Sequence, residues 1–174
     1  MTISTLKRSI LASAMFYSIL TTGACLAQSP ASTRIHSGEV VGVCLTAPGH
    51  AFAVLIAVKN GYMSANKTDP CGVGGVNRFQ RLVKRVVAVP GDDVLVVVRS
   101  TSQAAGKPPG VYVNGKLEPE SAPLDKDNNG RDYPQNPFHK KLSADEYMVL
   151  GRNAESFDSR YFGTVSNAEL TPVK

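Results

Sequence analysis

Leu82-Val83-Lys84-Arg85-Val86-Val87-Ala88-Val89-Pro90-Gly91-Asp92 is the stretch on which the reading of this chain turns. Its β-branched residues suit a pleated, half-buried surface, and Pro90-Gly91-Asp92 supplies turn chemistry. A second β-rich run, Val94 to Arg99, follows at once. Leu82–Val89 and Val94–Arg99 are therefore expected to form an antiparallel pair joined through that turn. In strand alternation Lys84 shares a face with Leu82, Val86 and Ala88, while Arg85 shares the other with Val83, Val87 and Val89. Either face could be the core. Lysine is rarely buried, and burial without a partner favours its neutral form, which is a base. The plain structural alternative is an edge-strand lysine that deters aggregation.

Outward from this stretch the chain reads as short strands separated by turn residues. Glu39–Cys44 is strand-like, and His50–Lys59 is apolar enough to be either a short helix or a buried strand. Asn60–Arg78 is a loop rich in Gly, Asn and Asp. Val111–Leu117 is a hairpin signal around Asn114-Gly115. Glu118–Lys141, polar and carrying four prolines, is expected to be a mobile loop. Tyr147–Leu150 is a last internal strand. Little helix and many short strands point to a mostly-β, barrel-like domain.

The 174 residues suffice for one sizeable core. The formal charge of +5 is spread out and lacks the basic stripe with interleaved aromatics of a nucleic-acid binder, so no nucleic-acid partner is expected. Lys7 and Arg8 precede a stretch with no charge until Arg34, and Ile10–Ala27 within it is mainly apolar. That pattern fits an uncleaved anchor or an export signal. Residues 1–27 are thus read as a membrane anchor or signal segment, and 28–174 as a domain outside the cytoplasm. Of the three cysteines, Cys25 belongs to the apolar segment, which leaves Cys44 and Cys71 to pair in an oxidising compartment. Such a bond constrains the unfolded chain by roughly 3–4 kcal/mol on the loop-entropy model. His36, His50 and His139 are scattered, so neither a metal site nor a cofactor is expected.

The second informative segment is Ser156-Phe157-Asp158-Ser159-Arg160-Tyr161-Phe162-Gly163, a polar cluster tipped with two aromatics. Together with Lys84 it suggests a serine hydrolase with a lysine base. Tyr161 and Phe162 read as core anchors. Asp158 and Arg160 could form a surface salt bridge, worth little, or a partly buried pair that fixes the loop carrying Ser156.

Lys84–Asp92 resembles the lysine box of the type I signal peptidases, and Ser156–Gly163 resembles their C-terminal box. The loop from Gly61-Tyr62 to Cys71-Gly72, the cysteine pair and the Val111–Lys116 hairpin look most like the conjugative-transfer branch, the TraF-type maturation peptidases. This resemblance implies a signal-peptidase-like β-barrel or sandwich and a Ser/Lys dyad acting on pilin-like precursors. It places Lys84 as general base, Ser156 as the hydroxyl supporting it, and Asp158 and Arg160 as a structural ion pair. It implies a periplasmic location, attachment to the inner membrane through the N-terminal segment, and a pilin-like precursor and the conjugative transfer apparatus as partners. The family's nucleophile lies just beyond the membrane segment in a Ser-x-Pro sequence followed by a Gly-aromatic pair. Here the match is Gln28-Ser29-Pro30-Ala31-Ser32, without the intervening residue or the Gly-aromatic pair. Ser29 is the candidate nucleophile and Ser32 its alternate. The competing reading is a catalytically inactive relative that serves as a periplasmic binding or assembly factor of the conjugation machinery.

Overall fold

Residues 34–45, 50–62 and 81–173 are described by the structure, a computed structural model. They fall within a single unit, Arg34–Lys174. The apolar segment, Ser29, Ser32, Cys25 and Cys71 all lie outside the described residues. Among the described residues no helix is long and apolar enough to cross a membrane.

The chain is mostly β. In order come β1 (Val40–Val43), α1 (Ala51–Lys59), β2 (Leu82–Ala88), β3 (Asp93–Val97), α2 (Ser102–Ala105), β4 (Gly110–Val113), β5 (Lys116–Leu117), β6 (Phe138–Lys141), β7 (Glu146–Leu150), α3 (Ser159–Phe162), β8 (Val165–Ser166) and β9 (Leu170–Pro172). Short 3-10 turns, Arg99–Thr101 and Asn167–Glu169, precede α2 and β9. The strands form two sheets, one in the order β8-β7-β2-β1-β9 and the other β5-β4-β3-β6. Every pairing is antiparallel.

The expected pairing of β2 with β3 does not occur. Both edges of β2 are taken, by β1 and by β7, while β3 lies between β4 and β6. Pro90-Gly91-Asp92 does reverse the chain, with Asp92 N–H donating to Val89 O at 3.1 Å and Val89 N–H to Asp92 Oδ2 at 2.9 Å. The turn is a corner between sheets. An irregularity in β2 between Val86 and Ala88 prepares it, since an extra residue bends a strand and shifts its facing. Val86 accordingly packs in one hydrophobic cluster with Val41, Val149 and Phe157, whereas Val87 and Ala88 pack in a second with Val94, Val111 and Met148.

His50–Lys59 resolves as the helix α1, with Ala53 and Ala57 buried. The Asn114-Gly115 hairpin forms as expected: φ is 50° at Asn114 and 80° at Gly115, the positive values of a tight two-residue turn. The Glu118–Lys141 stretch departs from a mobile loop. Its last four residues are β6, paired to β3. Its middle is pinned by Tyr133, buried and stacked between Tyr62 and Tyr161, and by Asp127, which accepts from Tyr62 Oη, Arg131 Nε and two backbone N–H groups. Prolines here shape a packed connection instead of a free one.

Candidate active site

Lys84 lies in the first half of β2, directly across from Val41 of β1. Lys84 is partly buried and the neighbouring Val83 and Arg85 are exposed, so the face shared with Leu82 and Val86 is the inward one. β7 reaches β2 only as far as Arg85, which pairs with Leu150. Beyond it the chain leaves the sheet at Gly151. The β2 edge at Val83 and Lys84 is thereby left without a strand partner on that side among the described residues.

The segment that leaves the sheet, Gly151–Asp158, returns Ser156 to the lysine. Lys84 Nζ donates to Ser156 Oγ at 2.8 Å. Gly151 makes this approach possible: a Cβ there would sit 1.8 Å from Ser156 Oγ and 2.2 Å from its Cβ. Burial lowers the Lys84 pKa below the ordinary lysine value; the nearby Asp158 charge works against this shift and Arg160 works with it. A lysine so placed is poised toward its neutral form.

Asp158 and Arg160 are 0% and 1% exposed, so theirs is no surface salt bridge. Arg160 donates Nε to Asp158 Oδ1 at 2.8 Å and Nη2 to Oδ2 at 2.7 Å, a two-pronged pairing. The remaining valences tie down the loop. Asp158 also accepts from the N–H of Gly151 and from that of Arg160, capping the first turn of α3. Arg160 also donates to the carbonyls of Asn153, Ser156 and Ala122. Burial opposes the guanidinium charge, but the Asp158 hydrogen bonds and charge prevail and its pKa is raised. A buried ion pair contributes little stability unless its hydrogen bonds are completed; here they run to both ends of the Ser156 loop.

Aromatic packing backs the loop. Phe157 and Tyr161 are buried, and Phe157 stacks on Tyr62 with ring centroids 5.5 Å apart. Tyr161 stacks on Tyr133 at 4.3 Å and accepts from the Leu124 N–H. Phe162 is also buried. Ser159 Oγ accepts from the Val149 N–H, joining α3 to β7. Gly151 and Tyr133 did not stand out in the sequence, and Tyr62 stood out only as part of the Gly61-Tyr62 to Cys71-Gly72 loop, without its packing role. A glycine directly after a strand and just ahead of the polar cluster was a signal for the first. Nothing local marks either tyrosine as a stacking partner of the loop.

The structure thus brings together Lys84, Ser156, Asp158 and Arg160. Lys84 and Ser156 line a cleft of about 410 Å³ that runs along the open β2 edge, and the Asp158–Arg160 pair lies buried behind it. Ser29 lies outside the described residues, as does Cys71, the expected partner of Cys44. Among the described residues no group of three or more His, Cys, Asp or Glu could hold a metal ion.

The arrangement is a strand-borne lysine hydrogen-bonded to a serine, beside an open strand edge and in front of a buried Asp-Arg clamp, and a lysine shifted toward its neutral form has the chemistry of a base. The sequence matches the family signal peptidase, peptidase S26, over residues 4–172. The chain belongs to that family. It is 33% identical over 94 residues to plasmid transfer protein TraF of Escherichia coli, covering 53% of this chain and 48% of that protein. It is 35% identical over 109 residues to probable signal peptidase I-2 of Synechocystis sp., covering 60% of this chain and 40% of that one. The chain thus spans less than half the length of these curated relatives. A crystal structure of a signal peptidase I from Enterococcus faecalis V583 aligns over 81% of this chain and 97% of its own, with 19% identity and a TM-score of 0.38.

Proposed function

We propose that this protein is a Ser/Lys-dyad serine endopeptidase that processes a pilin-like precursor for conjugative plasmid transfer. It works in the periplasm, held to the inner membrane by residues 1–27. The observation that carries the reading is the 2.8 Å hydrogen bond from Lys84 Nζ to Ser156 Oγ on an amine whose pKa burial has lowered. The likeness to TraF supports the transfer assignment.

In this reading neutral Lys84 donates one N–H to Ser156, which aims its lone pair into the cleft. Lys84 takes the proton of the Ser29 hydroxyl as Ser29 Oγ attacks the scissile carbonyl. The resulting lysine ammonium passes that proton to the departing amine. Water, deprotonated in turn by Lys84, then releases the acyl group and restores the serine. The Ser29 N–H is one of the donors for the transient oxyanion. The cystine Cys44–Cys71 clips the Gly/Asn-rich loop to the end of β1; in support, Cys44 is not a free thiol.

The test is processing of a pilin-like precursor by the full chain in its membrane. Ser29→Ala and Lys84→Ala should each abolish cleavage, and the double variant should be no worse than either, since the two act as one unit. Normal cleavage by Ser29→Ala with loss in Lys84→Ala keeps the base and moves the nucleophile, Ser32 being first in line. The second reading, an inactive binding or assembly factor, is favoured by the incomplete sequence context of Ser29. It prevails if both variants support plasmid transfer at the wild-type level.

A further inference from the structure

The walls of the Lys84 cleft are positively charged, and no carboxylate lines them among the described residues. Arg85 lies next to Lys84 in β2, and Arg152 lies next to Gly151, whose missing side chain makes room for Ser156. Arg85 is thus rooted one residue from Lys84, and Arg152 one residue from the glycine against which Ser156 packs. Around them the cleft is apolar: Val83 and Val40 are 60% and 38% exposed, and Leu150 is buried beneath.

The nearby acids cancel this charge only in part. Asp158 is fully buried and committed to Arg160 and to the Gly151 N–H. Glu118 meets Arg85 at 3.4 Å, and the Arg85 side chain remains 43% exposed. Arg152 is exposed and makes no ion pair or hydrogen bond among the described residues.

We infer that this cleft selects peptides carrying an acidic side chain within about three residues of the bond to be cut. The inference rests on the peptidase reading and names its substrate class. An extended peptide advances about 3.3 Å per residue, so a carboxylate one to three residues from the dyad comes within reach of Arg152, Arg85 or both. Guanidinium forks match carboxylates in geometry. Such a contact adds specificity to a cleft whose apolar walls alone would accept almost any short aliphatic side chain. Charge of one sign also raises the local concentration of oppositely charged ligands.

The experiment uses the purified full chain and fluorescein-labelled ten-residue Ala/Gly peptides. Glu occupies each position in turn, with Gln and Lys counterparts. Binding is read by anisotropy on Lys84→Ala, and cleavage by mass spectrometry on the wild type. The Glu peptides should bind about three- to tenfold more tightly than the Gln peptides. The preference should shrink as salt screens it. In the Lys84→Ala background, Arg152→Glu should reverse the preference toward Lys, and Arg152→Gln should weaken it without reversal. Glu118→Gln, which releases Arg85, should sharpen it. Equal affinity for Glu and Gln peptides overturns the inference, as does a preference untouched by Arg152→Glu, or no binding by any peptide. Cleavage without charge preference sinks the inference alone. Charge preference with no cleavage by the wild type sinks the peptidase reading and leaves charge selection as the property of a binding cleft.

Discussion

Lys84 sits at partial depth, and its chemistry follows from that depth. Burial withdraws water from the ammonium and lowers its pKa, with Asp158 pulling the other way. A lowered pKa means that, between the folded value and the ordinary 10.5, the unfolded chain binds more protons than the folded one. Stability contributed by this group therefore rises with pH across that window, and below it the full cost of burying a charged amine is present. Lys84→Met removes the charge and keeps the volume. It should raise the stability by about 0.5–2 kcal/mol near neutral pH, and the gain should fade as pH rises toward 10.5. Urea unfolding across pH checks both the sign and the slope. A destabilised Lys84→Met at neutral pH would contradict the assigned cause.

The loop from Gly151 to Asp158, with α3 behind it, is the element that turns a strand lysine into a site. Its shape depends on two features that act at opposite ends. Gly151→Ala would drive a Cβ into Ser156, so the loop must shift and the Lys84 amine loses its fixed partner. Misplacement of about 1 Å at a reacting group costs roughly 10²-fold in rate. The expected outcome is a fall of that order in kcat with little change in thermal stability, read by precursor cleavage and circular dichroism. Asp158→Asn leaves Arg160 charged, buried and without its counter-ion. It should destabilise by about 3–5 kcal/mol, measured by denaturant unfolding; a loss under about 1 kcal/mol would show the clamp to be dispensable.

At the scale of the molecule, two sheets meet at the Pro90-Gly91-Asp92 corner, and Lys84 lies well before that corner, in the half of β2 that β7 does not reach. The sequence showed that β2 and β3 exist, because their valines mark extended backbone. It hid their separation, because a turn signal reports a reversal and not which edges are already occupied. The local signals of Asn114-Gly115 and of Ser156–Gly163 were legible, since tight turns and dense polar clusters are written in adjacent residues. The packing of Glu118–Lys141 was not, since Tyr62 and Tyr133, far apart in sequence, hold it through stacking on the loop behind Ser156. The facing of Lys84 was likewise undecided by alternation and was fixed by which side of β2 the Ser156 loop covers. The proposed chemistry stands or falls with this lysine as the working base. NMR titration of isotope-labelled lysine amines, with Lys84 identified by its loss in Lys84→Met, tests it most directly. If Lys84 is the base, its midpoint lies clearly below 10.5 and coincides with the rising limb of kcat/KM against pH. A midpoint at or above the ordinary lysine value would contradict it.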